Sequence, residues 1–324
     1  MEKAAKPKVY TIGIGNSRSH LTLEAREILA EIDVVAGHFG FIEMAREFIN
    51  PTAKIIDDRE ARNRSDSFVF YQQKRVAAVV TEAMKGQSVA VLSGGDSGIW
   101  GMAAVFLEAQ KEHKNSFDLI VIPGVPSMVS IAARLGAPLQ NGFTLISVGD
   151  EDTPFDIIEQ RLKGAAIGGG VVVLYKLILE NLAYPGFYPA DMYPGLYPPD
   201  VKTKYRLQRT YEILAEHVPP DRPMAIVTDV HDQTSKYSSS VALLGSDSGN
   251  ECITITKFGN FLEKAPEFRF FTTIIIGDAN TQVYNNRMVN PQSNYKWKYD
   301  AEMLTGIGAI PYLKDQNTFF DKKI

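Results

Sequence analysis

The stretch SVAVLSGGDSG, residues 88–98, decides how this chain reads. Its first five residues form a short apolar run, the pattern of a strand buried on both faces. Glycines follow at once, and a helical pattern resumes over about residues 99–113. A strand that breaks into glycines and re-enters a helix is the connection of a parallel α/β sheet. Glycine lets the backbone come close to a ligand, and Asp96 stands where an aspartate caps a following helix. The stretch therefore reads as a backbone-built cradle for a small organic cofactor.

Two further turns of this kind flank it. GIGNSRSH (13–20) ends the apolar run VYTIGIG (9–15), and PGVPS (123–127) follows LIVI (119–122). Taken singly, each is an ordinary turn; in an open parallel sheet all three share the carboxyl edge, where ligands bind. Thr22 can cap a helix with Leu21, Ala25, Ile28, Leu29 and Ile32 on one face. VVAG (34–37) predicts a strand, residues 68–85 a long helix stopped at Gly86, and FTLIS (143–147) closes the set. The alternation predicts a parallel sheet covered on both faces. Beyond Gly149 the texture changes. TPFDIIEQRLKGAA predicts a helix with Ile157, Ile158 and Leu162 on one side; VVVLY (171–175), PMAIVTD, SSVALL, CITITK and FTTIIIG predict strands with few helices between them. The expectation is two α/β domains with a cleft between them: an N-terminal domain, 1–148, with an open parallel-rich sheet, and a C-terminal domain, 149–290, with a mixed sheet. Residues 291–324 read as an appended tail.

The 324 residues suit two domains rather than one core. A formal charge of −4 does not favour nucleic acid or an anionic membrane, and no apolar run approaches the roughly 20 residues of a membrane helix. The charged start MEKAAKPK does not read as a signal peptide, and one cysteine, Cys252, excludes an internal disulfide. A cytoplasmic protein is expected. Within 180–202 the dipeptide Tyr-Pro recurs at Tyr184, Tyr188, Tyr193 and Tyr197. Repeated proline predicts a loop of extended character, either a surface insertion or an aromatic lid over a flat ligand.

A dinucleotide-dependent oxidoreductase is the obvious rival, and it fits poorly. Arg18 stands where the third glycine of the fingerprint belongs, and Asp33 precedes the second strand instead of ending it. No turn is a phosphate loop with a lysine, so a nucleoside without a pyrophosphate fits better, with ribose recognition at Asp96; S-adenosylmethionine is such a ligand. The five histidines His20, His38, His113, His217 and His231 show no metal-ligand spacing, so no metal is expected.

The resemblance to a family lies in the same segments. VAVLSGGDSGIWGMA (89–103) resembles the Gly-Asp-Pro-Gly-(Val/Ile)-Tyr-Gly-Met-Ala signature of the tetrapyrrole methylases of vitamin B12 synthesis. Residues 121–162, with Gly-Ala-Pro-Leu, Ile-Ser and Thr-Pro-Phe, resemble the branch that methylates precorrin-3B at ring carbon 17, and so do RTYEILAEHVPPDRPMAIV (209–227) and FFTTIIIGDANTQVYNNRMVNP (270–291). The resemblance implies an S-adenosylmethionine-dependent methyltransferase of cobalamin biosynthesis. It would methylate a corrin precursor with ring contraction, release S-adenosylhomocysteine, and form a homodimer. By position it places Gly94, Gly95, Asp96, Ile99, Pro126, Ser127, Tyr175, Lys176, Thr272 and Thr273 at the cofactor, and Gly15, Asn16, Ser17 and Arg18 at the tetrapyrrole. A carboxylate-rich macrocycle needs local positive charge, for which Arg18, Arg59, Arg62 and Arg64 are candidates. His20 or His38 could move a proton, although a structural histidine is the commoner case. The chain departs from the family pattern at Asn16–Arg18, at Ser97 in place of proline, and after VVVLY, where Asn-Pro-Arg-Ser is missing and the Tyr-Pro segment stands instead. The alternatives are a methyltransferase of the same fold acting on another tetrapyrrole or on a protein residue, and a non-catalytic tetrapyrrole binder.

Overall fold

The computed structural model describes residues 6–57, 68–150, 152–178, 199–228, 251–269 and 271–291. The insertion up to residue 198, the strand SSVALL, Arg59, Arg62, Arg64 and the tail beyond Pro291 lie outside the described residues. Met1–Asn290 forms one compact unit.

The first sheet is parallel, as its alternation predicts. Its strands are β1 (Lys8–Gly13), β2 (Val34–Gly37), β3 (Lys54–Asp57), β4 (Val89–Ser93) and β5 (Asp118–Ile122), in the order β3-β2-β4-β1-β5. Strand periodicity of two sorts its side chains. Ala90, Leu92, Val35 and Ile12 join one buried cluster with α1 (Leu23–Glu31) and α2 (Phe39–Ala45). Val89, Val91, Val34, Ala36 and Val9 join another with α3 (Phe68–Ala83) and α4 (Ala103–Glu112). The Thr22 hydroxyl caps α1, accepting from the Ala25 N–H at 3.1 Å, and Gly86 takes the left-handed conformation that stops α3.

The second sheet is mixed, in the order β10-β9-β11-β8-β7. It contains β7 (Phe143–Ser147), β8 (Val171–Tyr175), β9 (Pro223–Thr228), β10 (Cys252–Lys257) and β11 (Thr272–Ile276). β7 runs parallel to β8, and the other neighbours are antiparallel. The segment FTLIS therefore does not close the first sheet. Its chain has already crossed over, because α5 (Ser127–Leu135), the helix leaving β5, packs on the second sheet. Met128, Ile131 and Leu135 are buried with Val171, Val173, Ala225, Val227 and Ile275. The other face of that sheet is covered by α6 (Phe155–Gly168) and α7 (Pro199–Ala215). Pro199 sits in the first turn of α7, where a missing N–H costs nothing, so residues 199–202 belong to a helix and not to the loop expected there.

A small third sheet was not legible in advance. β6 (Gly136–Ala137) pairs in parallel with β13 (Arg287–Val289), which forms a hairpin with β12 (Gln282–Tyr284). The hairpin turns at Asn285 and Asn286, both at positive φ as a tight two-residue connection requires. Asn290, fully buried, secures the end: its N–H donates to the Ala137 carbonyl at 3.0 Å and its Nδ2 to Asp278 at 2.7 Å. α5 is thus held at its C-terminal end as well as along its apolar face.

Because Ile131 is buried at 1% exposure between α5 and the second sheet while Val129 on the same helix is 46% exposed, the two should respond differently to truncation. Ile131→Ala is expected to cost about 2–5 kcal/mol in urea unfolding, and Val129→Ala roughly 0.5 kcal/mol or less.

Candidate active site

β4, β1 and β5 are neighbours, so the turns that follow them meet at one edge, and they meet through backbone. A β-carbon on Gly13 would lie 2.6 Å from the Gly124 nitrogen and 2.7 Å from the Gly95 carbonyl oxygen; one on Gly124 would lie 2.2 Å from that same oxygen. Gly15 and Gly95 exchange two N–H···O bonds of 2.9 Å, and both take left-handed φ values, +69° and +66°. Asp96 ties this cluster together. Its Oδ1 accepts from the Gly98 N–H at 2.8 Å and its Oδ2 from the Gly124 N–H at 3.0 Å. The carboxylate expected at a ribose is thus also the pin between two turns.

Downstream of Asp96 the helix starts later than its pattern predicts, at Ala103 instead of residue 99. The intervening residues form a tight loop closed by the Ala103 N–H on the Ser97 carbonyl at 3.1 Å. Gly101 lies against that carbonyl, where a β-carbon would come within 2.5 Å of the oxygen. Trp100 is forced to φ +49°, a conformation that costs a residue with a β-carbon about 1–3 kcal/mol. Ser97, where the resemblance leads one to expect proline, is fully buried, 3.5 Å from the Ser93 hydroxyl.

α5 carries the third turn across to the second sheet. Pro126, at its N-cap, packs beside Gly95. The Ser127 hydroxyl donates to the Tyr175 hydroxyl at 2.8 Å, and the Met128 N–H donates to the same oxygen. Burial pushes the Tyr175 phenol up to about 12, partly offset by these two donors. Tyr175 ends β8, and Lys176 follows at φ +53° with Gly149 pressed against its carbonyl. Ile274 pairs with Leu174; continuing that antiparallel register by one residue brings Thr273 opposite Tyr175. The Thr272 hydroxyl is engaged with Thr228 at 2.8 Å and with the Arg269 N–H at 2.8 Å, and the Thr272 N–H donates to the Arg269 carbonyl at 3.0 Å. Ile99 packs in the cluster that holds Tyr175, and Phe41 from α2 closes over Gly94. The ten residues expected at a cofactor thus lie in the turns and at the strand ends of the two sheets, and Phe41, which no sequence pattern marks, lies against Gly94.

The first turn borders the same place through Gly15. Asn16 Oδ1 accepts from the Ser130 hydroxyl at 3.0 Å and meets His20 Nδ1 at 3.1 Å, while its amide nitrogen is buried without a partner. Ser17 is buried and bonds Ser19. Arg18 faces Glu47 at 3.4 Å, and its carbonyl accepts from Arg26. His38 Nδ1 accepts from the Gly40 N–H at 3.1 Å and caps α2. Both candidate histidines therefore hold local structure. Among the described residues no three His, Cys, Asp or Glu side chains gather as a metal site.

Gly124→Ala is expected to cost about 1–3 kcal/mol by overpacking, since its β-carbon would meet rigid backbone. Tyr175 makes stability fall with alkali. Its folded value lies above the ordinary 10, so its contribution is complete below pH 10 and is lost as pH rises toward 12, by at most roughly 2–3 kcal/mol. Tyr175→Phe should remove that component from the pH dependence and cost about 1–2 kcal/mol at neutral pH, where two donors lose their acceptor. Urea unfolding of both chains from pH 7 to 12 measures this.

Comparison with known proteins gives a consistent picture. A cobalt-factor III methyltransferase from Priestia megaterium is 27% identical over 302 residues, 91% of this chain and 46% of that protein. A precorrin-3B C(17)-methyltransferase from Sinorhizobium is 32% identical over 174 residues, 52% of this chain and 64% of that protein. The chain therefore spans less than two thirds of either relative. The crystal structure of the methyltransferase CobJ shares the fold, with a TM-score of 0.64 at 22% identity over 87% of this chain and 99% of that one. The profile of the tetrapyrrole (corrin/porphyrin) methylases matches residues 8–231, most of the chain, and the protein belongs to that family.

Proposed function

We propose that this chain is an S-adenosylmethionine-dependent methyltransferase acting on a corrin precursor of cobalamin biosynthesis, at ring carbon 17. Support comes from the family, from the names of the relatives, and above all from one feature of the site. Three glycine turns converge beside Tyr175 and form an edge that offers backbone groups and apolar surface. A nucleoside without a pyrophosphate fits that lining. Gly94 and Gly95 are half-exposed and bear no side chain, Ile99, Pro126 and Tyr175 supply apolar surface, and no lysine-bearing phosphate loop is present.

In this reading Gly94, Gly95, Asp96, Ile99, Pro126, Ser127, Tyr175, Lys176, Thr272 and Thr273 hold the cofactor, and Gly15, Asn16, Ser17 and Arg18 face the tetrapyrrole. The cofactor brings its own activated methyl, so the chain's contribution is alignment, worth roughly 7–11 kcal/mol when two reactants are held in attack geometry. The Gly15–Gly95 bridge fixes the substrate loop against the cofactor turn, which sets the distance between the two ligands. Asn16 holds the shape of this loop through Ser130 and His20, and Arg18 supplies positive charge tempered by Glu47. Residues 1–148 and 149–290 act as the two walls of the cleft, with a homodimer in the cytoplasm as the working form.

The test is calorimetry with S-adenosylhomocysteine, followed by incubation with S-adenosylmethionine and early corrin intermediates read by mass. Micromolar binding and the gain of one methyl are expected. Absence of binding at high micromolar concentration would overturn the methyltransferase reading, and binding without methyl gain on any intermediate would overturn the corrin substrate.

A further inference from the structure

Trp100 combines two features that a tryptophan ordinarily avoids. Its backbone is left-handed at φ +49°, and the residue is 52% exposed although its ring is the largest apolar group in the loop. Neither is an accident of a slack segment. The loop is cinched by the Ala103–Ser97 hydrogen bond, by Gly101 against the Ser97 carbonyl, and by the Asp96 carboxylate on the Gly98 N–H. Strain of this kind persists where surrounding structure enforces it and is concentrated at ligand sites.

The indole is also backed. Its ring centroid lies 5.8 Å from that of Tyr175 at 53°, a tilted aromatic contact. Tyr175 is itself immobilised by the Ser127 hydroxyl and the Met128 N–H, and the next residue, Lys176, is the other left-handed non-glycine at this edge, at φ +53°. A half-open indole braced by a fixed tyrosine is a flat, apolar surface offered to a flat partner. Its position selects which partner. The Gly95 backbone pairs with Gly15 on one flank, toward Asn16–Arg18, and lies against Pro126 on the other. Trp100, through Tyr175, belongs to the Pro126 and Ser127 flank.

We propose that Trp100 positions the cofactor by stacking its indole on the purine ring of the S-adenosyl ligand, with Tyr175 as the brace. This deepens the methyltransferase reading and rests on it. The ring does no chemistry; it fixes the adenosine end so that the other end meets the substrate loop.

The chain has two tryptophans, Trp100 and Trp297, so Trp297→Phe leaves Trp100 as the sole indole reporter in the full chain. Titration of that variant with S-adenosylhomocysteine should quench its emission with the same Kd that calorimetry gives. Base–aromatic stacking corresponds to about 5- to 150-fold in affinity. Trp100→Ala should therefore weaken S-adenosylhomocysteine by about tenfold, while Trp100→Phe, which keeps a flat ring, should stay within about threefold. Trp100→Gly relieves the left-handed strain; it should melt no lower than Trp100→Ala and still bind weakly. Unchanged affinity in Trp100→Ala together with silent Trp100 emission would overturn the stacking role while leaving the functional reading intact. Failure of the unaltered protein to bind S-adenosylhomocysteine at all would overturn both.

Discussion

The structure depends on the contact of three peptide backbones at Gly13, Gly95 and Gly124. Strands β4, β1 and β5 stand side by side, and the turns leaving them pack with no side chain between them; a single β-carbon at Gly13 or Gly124 would come within 2.2–2.7 Å of backbone atoms. Asp96 completes the joint by accepting one N–H from its own turn and one from the turn after β5. The result is a surface made of peptide groups, rigid because it cannot rearrange by rotamer changes.

That joint also sets the direction of α5. The helix starts immediately after Gly124 and Pro126, so the angle of the third turn decides where its apolar stripe lands. It lands on the second sheet, with Met128, Ile131 and Leu135 against Val171, Val173 and Ile275. Ser127 reaches Tyr175 as a consequence, and β6 reaches β13 at the other end. One helix therefore joins the first glycine edge to the end of β8. Ser127 and Met128 meet Tyr175 across 48 and 47 positions of sequence because α5 belongs by connectivity to one sheet and by packing to the other.

Much of this was legible in the chain. Apolar runs ending in glycine marked β1, β4 and the turns after them, and the Thr22 cap and the left-handed Gly86 followed from local chemistry that needs no tertiary partner. The mixed character of the second sheet followed from strands crowded without helices between them. FTLIS was misplaced because a buried strand carries no mark of which sheet buries it. The start of α4 was misplaced because the residues after Gly98 have helical periodicity, yet the Gly101 contact with Ser97 holds them in a turn. Of the candidate site, the glycines and Asp96 were visible as types suited to close backbone approach. The occupation of Asp96 by two N–H groups, the bracing of Tyr175 and the cover that Phe41 places on Gly94 were not, since each is a contact between residues distant in sequence.

The sequence by itself determined the α/β class, the family and the identity of the three turns, because these rest on periodicity, on glycine's conformational freedom and on motifs read within a dozen residues. Tertiary structure alone decided that the turns fuse through their backbones, that α5 serves the second sheet, and that Trp100 is held left-handed beside Tyr175. These depend on how strands order themselves and on where a helix axis points. Both are settled by packing between segments that carry no record of each other in the local sequence.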